Sequence, residues 1–431
     1  MTQFRWVVAF LIFVIYTVAA ADRANIGVAL PFIRKDFQMS NTEAGAIVSL
    51  FLLAYSIAQI PSGFTYSRFG VRRIFSFAMI ATSVFTGLIG TSSSAFMLKI
   101  YRFGLGLAEG PLPIGITSTI NHWFPPREKG TATGIFLSAA KFGPVLVPPL
   151  CALIIQMSSW HYIFYLFALP GIILSVIWYF LVKNRPSESP YCSDCEAKYI
   201  ESEQMRQDKK GQKKPYSLQW LDWLIRARKP DPLDTNARIF RSWDVWGSTL
   251  GYFFITGIVN VLLAWIPTYL MNVKHFTIMK MGFVASAPWV GAVIGNLLGG
   301  WFSDKVINKR RKPLMMTTSI ATACTMYALI NAPNDPIFLG MLLFLTGILL
   351  NLGYSTYMVY PMGLTTKKTF PIACSVVNTG GQLGGACAPL ITGMILDAYS
   401  WDAVWMFLAT ISFISLFVLL TITEPVEDPQ P

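Results

Sequence analysis

Five ionisable side chains stand where the surrounding sequence is otherwise apolar: Asp22 and Arg23 in AAADRANIGVALPFI, Arg102 and Glu109 in YRFGLGLAEG, and Lys141 in SAAKFGP. A charge at mid-bilayer costs several kcal/mol, so one that persists in an apolar run marks a functional site. Three cations against two carboxylates leave one positive charge over, enough to attract a monoanion. Protonating Asp22 or Glu109 strengthens that attraction, and this links anion entry to proton entry. Arg102 and Glu109 are seven residues apart and fall on one helix face, about 10 Å apart along the axis. Asp22 and Arg23 diverge by about 100° on a helix, so they serve different neighbours.

The elements that hold these charges are membrane helices. The chain has 431 residues, 54% hydrophobic and 13% charged, with mean hydropathy +0.50, too apolar for an ordinary soluble globule. Apolar runs of helical crossing length recur at 6–33, 43–65, 74–93, 96–120, 131–156, 160–182, 244–271, 278–303, 312–331, 336–361, 370–396 and 401–422, which gives twelve expected spans. The expected fold class is therefore all-α and integral to the membrane, in two six-helix halves. The expected domains are 1–182, a cytoplasmic linker over 183–243, and 244–431 ending in a short tail.

Charge distribution orients the chain. With the N-terminus inside, 26 of the 34 Lys and Arg fall in cytoplasmic segments. This asymmetry predicts a multi-pass protein of the inner membrane with both termini cytoplasmic, and it reads the net charge of +12 as topology rather than nucleic-acid binding. The Arg5-led apolar start is expected to be retained as the first span, not cleaved as a signal peptide. Within the linker, SLQWLDWLIRARK (Ser217 to Lys229) sets Trp and Leu against Arg and Lys, the pattern of a helix lying on the inner leaflet.

The halves echo each other. GFTYSRFGVRR after the second span and GWFSDKVINKRR after the eighth both place a glycine four residues before Ser or Asp, then a cation, then a basic cluster. Gly63 and Gly300 are expected to allow close helix packing. Arg68, Gly70 and Arg72 in the first copy, and Asp304 and Arg310 in the second, form short cytoplasmic turns.

The 6+6 layout, the basic linker and these paired loops resemble the major facilitator superfamily over essentially the whole chain. The first loop departs from the usual pattern by carrying Ser67 where Asp is expected. YTVAAADRANIGVALPFI, YRFGLGLAEGPLPIG and INHWFPPREKGTATGIF further resemble its anion:cation symporter family, importers of sugar acids. That resemblance implies that Arg23 binds the substrate carboxylate, Asp22 and Glu109 take protons, Arg102 couples them and Tyr55 lines the cavity. It places Lys141 where sugar-acid importers carry Gln or Lys, and it makes galactonate-type acids the first expectation, ahead of hexuronates and glucarate. It implies transport by alternating access, the halves rocking about a central site.

The second half offers no mid-span charge. It offers amides and phenols suited to polyol hydroxyls: Asn260, Trp265, Asn351, Tyr354, Tyr357, Tyr360, Asn378 and Gln382. Tyr354 and Tyr357 are three apart and Asn378 and Gln382 four apart, so each pair can share a face; these four are the chosen substrate-binding candidates. The expected partners are a small organic anion, protons and the bilayer, with no nucleic acid, no cofactor and a monomeric state.

Other functions fit less well. Phthalate or tartrate import is the alternative among transporters, and three cations argue against export of cationic drugs. No nucleophile–base pair, metal-ligand cluster or phosphate loop suggests an enzyme. Cys192 and Cys195 form a CxxC without the second ligand pair that zinc needs.

Overall fold

The computed structural model describes residues 3–205, 225–229, 231–307, 310–366 and 369–426. Its helices divide into two compact units, one of Met1–Met39 with Leu50–Lys213 and one of Ser40–Ser49 with Lys214–Pro431. Among the described residues, ten helical stretches are long and apolar enough to cross a membrane.

The first unit holds α1 (Phe4–Asp36), most of α2 (Asn41–Phe69), α3 (Val71–Gly90), α4 (Ala95–Glu109), α5 (Leu112–Trp123), α6 (Pro126–Met157), α7 (Trp160–Leu181) and the linker helix α8 (Asp194–Met205). The expected span 96–120 is divided into α4 and α5 by Gly110 and Pro111, which keep helical backbone angles. Pro111 and Pro113 lack the backbone N–H that would continue the ladder, so α4 stops at Glu109. The α4 start follows capping rules: the Ser94 hydroxyl accepts the Met97 N–H at 3.2 Å.

The second unit holds α9 (Asn236–Arg241), α10 (Trp243–Asn272), α11 (Ile278–Lys305), α12 (Lys312–Ile330), α13 (Pro336–Leu352), the short α14 (Thr356–Val359) and α15 (Pro361–Leu364), α16 (Phe370–Ala398) and α17 (Trp401–Thr421). Asp335 caps α13 through the N–H groups of Ile337 and Phe338, with Pro336 at the first helical position. The first turns of α2 also belong to this unit. The Asp397 carboxylate at the end of α16 accepts the Asn41 and Thr42 N–H groups, each at 2.8 Å.

The same pairings recur in both units. In the first, α1 packs on α6 and α3 on α7; in the second, α10 packs on α16 and α12 on α17. The third pairing, α2 with α4 and α11 with α13, is made by glycines. A side chain at Gly106 would sit 2.2 Å from the Phe51 carbonyl oxygen, and side chains at Gly291, Gly295 and Gly299 would sit 2.1, 2.3 and 1.8 Å from those of Phe344, Ile348 and Leu352. A four-residue glycine spacing lets two backbones touch. Gly63 and Gly300 do not serve this purpose, because an added side chain at either meets nothing within 4 Å. The packing stripe of α11 lies one residue earlier, and one residue rotates a helix face by about 100°.

The paired loops are built by other means. Gly70 is in the left-handed region (φ 79°), and Asn184 occupies the space a side chain would need. Arg72 donates to the Tyr179 carbonyl at 2.7 Å and lies over its ring, while Arg68 is exposed beside Phe69. Arg310 is buried. The side chains of Ser67 and Asp304 lie outside the described residues.

The linker is tied separately to each unit. Glu196 of α8 accepts the Phe4 and Arg5 N–H groups at the start of α1, and Arg5 bridges Glu196 and Glu128 at 2.9 and 2.7 Å. In the second unit Ala227–Arg228 (β1) pairs in parallel with Glu424–Pro425 (β2) of the tail. Most of the expected surface helix over Ser217–Lys229 lies outside the described residues. Its last residues depart from helix because Arg226 turns with φ 55° and β1 follows.

Candidate functional site

The five charges of the first half divide into distinct environments within the first unit. Asp22, Arg102 and Glu109 are buried at 2%, 1% and 0% exposure, while the Arg23 side chain is 22% exposed. Arg23 Nε donates to Glu109 Oε1 at 2.5 Å, an ion pair between the middle of α1 and the last residue of α4.

Gly106 and Gly110 bring α4 against α2, since a side chain at Gly110 would lie 2.7 Å from the Tyr55 carbonyl oxygen. This approach stacks both guanidinium groups on neighbouring aromatic faces of α2. Arg102 lies 4.5 Å over Phe51 and Arg23 lies 4.6 Å over Tyr55, with Tyr16 5.6 Å from Arg23. A ring face stabilises a cation without consuming its N–H donors. Arg23 Nη2, Arg102 Nε and Nη1, and Glu109 Oε2 are buried without a hydrogen-bond partner. Buried donors left open in this number are what an incoming anion would use.

Asp22 points to a different set of groups. The Asn25 amide donates to its Oδ1 at 3.4 Å, and Thr86 of α3 faces the same carboxyl. Lys141 is half-buried on α6. The sequence left unnoticed Phe51, Tyr16, Asn25 and Thr86. Phe51 was within reach, since it lies four residues before Tyr55 and so shares its face.

The second unit assembles phenols around a residue the sequence reading did not select. Tyr252 of α10 has its ring centroid 5.3 Å from Tyr354 and 5.6 Å from Tyr357. It fits because Gly381 of α16 has no side chain; one there would lie 2.2 Å from the ring. The hydroxyls of Tyr357 and Thr256 are buried without a partner. The expected span 336–361 falls within one crossing-length stretch, Pro336–Leu364, interrupted by a turn at 353–355, so Tyr354 sits in that turn and Tyr357 in α14, and both lie against Tyr252. Asn378 and Gln382 sit four apart on α16, both half-buried.

Other polar groups of this half hold structure. Asn260 and Asn351 donate to the carbonyls of Thr256 and Gly347 one turn back, and Trp265 donates to the Pro389 carbonyl. Tyr360 donates to the Thr423 carbonyl. In the linker the Cys192 thiol is pushed up to about 11 by burial and by neighbouring Glu196, which suppresses the thiolate. No group of three or more metal-ligating side chains occurs among the described residues.

Comparison with known proteins gives a consistent outcome. The profile of the Major Facilitator Superfamily matches residues 12–368 and 281–431. A D-galactonate transporter of Escherichia coli O6:H1 is 28% identical over 95% of this chain and 93% of its own length. A probable galactarate/D-glucarate transporter of Bacillus subtilis is 27% identical, covering 99% and 93%, and a hexuronate transporter of the same species is 26% identical, covering 87% and 84%. Among solved structures, a bacterial homologue of the human lysosomal transporter Spinster superposes with TM-score 0.75 at 15% identity, covering 97% and 95% of the two chains. A D-xylose–proton symporter superposes with TM-score 0.74 at 15% identity, covering 99% and 100%.

Proposed function

Because the chain belongs to the Major Facilitator Superfamily and is a multi-pass membrane transporter rather than an enzyme, we propose that it imports a sugar acid together with protons, with galactonate as the first substrate. The observation that carries this reading is the Arg23–Glu109 pair at 2.5 Å beside the open donors of Arg23 and Arg102. A substrate carboxylate and the Glu109 carboxylate compete for one guanidinium. Protonating Glu109 removes its charge and frees Arg23, so anion binding is favoured when a proton is bound. Deprotonation restores the pair and expels the anion. Exposing the site alternately to each side of the membrane converts this exchange into coupled import.

The sugar-acid assignment is supported by the relatives, whose names give galactonate, galactarate, glucarate and hexuronate. The phenols around Tyr252 and the amides Asn378 and Gln382 supply donors and acceptors for hydroxyls. The positive-inside asymmetry supports placement in the inner membrane with both termini cytoplasmic. The chain acts as a monomer and needs no cofactor beyond the proton.

The test is reconstitution in liposomes holding an internal pH dye, with a panel of sugar acids added outside. Acidification by one aldonate in the parent protein, abolished in Glu109→Gln, is the expected result. Silence with every sugar acid but acidification with phthalate or tartrate would replace the substrate class. Uptake without acidification would remove protons from the mechanism.

A further inference from the structure

The two buried carboxylates of the first unit have chemically different partners. Glu109 faces a guanidinium, which only donates hydrogen bonds and so favours the ionised carboxylate. Asp22 faces no cation at ion-pair distance among the described residues. It receives the Asn25 Nδ2 donor at 3.4 Å and faces the hydroxyl of Thr86, which is buried and makes no hydrogen bond. Asn25 and Thr86 are both 0% exposed.

An amide and a hydroxyl differ from a guanidinium in being both donors and acceptors. Toward an ionised Asp22, Asn25 donates through its N–H and Thr86 through its O–H. Toward a protonated Asp22, the Thr86 oxygen can accept the new O–H, or the Asn25 amide can turn over to present its Oδ1, which is buried and unpartnered. The carboxyl can therefore gain and lose a proton without itself turning, since the small neighbours can reorient to suit each state. No covalent bond other than the O–H bond of Asp22 changes.

We propose that Asn25 and Thr86 are positioning residues for Asp22, holding its carboxyl in one orientation in both protonation states so that it carries a coupled proton in addition to the one that Glu109 exchanges. This rests on the proton-coupled reading above. It divides labour between the carboxylates: Glu109 is the group that trades with the anion, and Asp22 is the group that trades only with protons. The titratable and charged groups facing Asp22 are Arg23 on its own helix, Arg102 and Glu109 on α4 and the Cys151 thiol on α6. From α3 the facing group is Thr86, and the only histidines of α5 and α7 are His122 in the last turn of α5 and His161 in the first turn of α7.

The experiment uses the reconstituted full chain and D-galactonate, and compares uptake driven by a pH gradient, over a range of external pH, with counterflow at equal pH on both sides. Counterflow exchanges substrate without net proton movement. Thr86→Val keeps the side-chain shape and removes the hydroxyl; Thr86→Ser restores the hydroxyl; Asn25→Ala tests the second contact independently. The expected result is that Thr86→Val and Asn25→Ala lower gradient-driven uptake about tenfold and move its pH midpoint upward by about one unit, a single lost hydrogen bond to a charged group being worth about that factor. Counterflow stays within about twofold, and Thr86→Ser returns the midpoint to the parent value. A parent-like pH profile in both variants overturns the proposal. So does a joint fall of uptake and counterflow without rescue by Ser, which is the signature of lost packing. If the parent protein itself moves no protons with galactonate, the proposed function has failed and this inference falls with it, an outcome visible before any variant is measured.

Discussion

The two units share a set of helix pairings and differ in what they place among them. The first buries Asp22, Arg102 and Glu109 with Arg23 beside them, and leaves N–H donors of both guanidinium groups open. The second carries Tyr252, Tyr354 and Tyr357 around a glycine, and its buried charges among the described residues are Arg310 and Lys312 at the start of α12 and Glu424 of the tail. One scaffold therefore supports a charged site in one copy and a neutral, hydroxyl-matching cluster in the other. A charge costs far more than a phenol to bury in hydrocarbon, so concentrating the charges in one unit lets them neutralise one another there.

Removing one group from each unit tests this division of roles. Arg23→Ala leaves Glu109 buried without its cation, a change worth about 3–5 kcal/mol for a buried pair, so uptake should fall by at least about a hundredfold in kcat/KM. Tyr354→Phe removes one neutral hydrogen bond, worth about 0.5–1.5 kcal/mol, and should cost about two- to tenfold. Initial rates of labelled-substrate uptake at several concentrations check both. Equal losses would mean that the phenols carry binding energy of ionic size, and the division between the units would have to be abandoned.

The charges were legible in the sequence because their cost in an apolar run allows no bland explanation, and the repeated loops exposed the two-part plan. The surroundings were less legible for physical reasons. Asn25 and Thr86 are small polar residues of a kind that commonly bond their own helix, so nothing in the string sets them apart. Tyr252 matters only because Gly381, over a hundred residues later, leaves room for its ring. The break at Pro111 was present in the sequence, yet Pro within membrane helices is common enough that the apolar run outweighed it. The parallel pairing of the linker with the tail is invisible locally, because two residues on each strand carry no period to read.

That pairing gives a second contrast, between carboxylates held by side chains and one held by backbone. Both Glu424 oxygens accept N–H groups, those of Arg311 and Lys312 at 2.7 Å each, at the start of α12. Burial nevertheless pushes the carboxyl up, from 4.5 to about 7, against the opposing pull of these amides. Folding then binds a proton between those values that the unfolded chain does not hold. The stabilisation from this group is complete below about pH 4.5 and is lost as pH rises to about 7, up to about 3 kcal/mol in total. Thermal unfolding of the purified protein at pH 5 and pH 8 should show the parent losing stability over that interval and Glu424→Gln losing less. A parent and variant with the same pH slope would show that the amides dominate and that Glu424 stays ionised throughout.

The smallest expected effect separates two adjacent glycines. Gly299 lies against the Leu352 carbonyl, where an added side chain would sit 1.8 Å from the oxygen, whereas Gly300 faces open space. The contact partner is backbone, which cannot rotate aside as a side chain can, so Gly299→Ala must push α11 off α13 at a cost of about 1–3 kcal/mol. Gly300→Ala forces nothing apart and replaces a residue of high backbone entropy inside a helix, so its effect should be stabilising by about 0.5–1 kcal/mol. Unfolding temperatures of the two variants should therefore move in opposite directions. If both fell together, Gly300 would be under a constraint that its open surroundings do not show, and the pairing of α11 with α13 would not be the reason glycine is required on this helix.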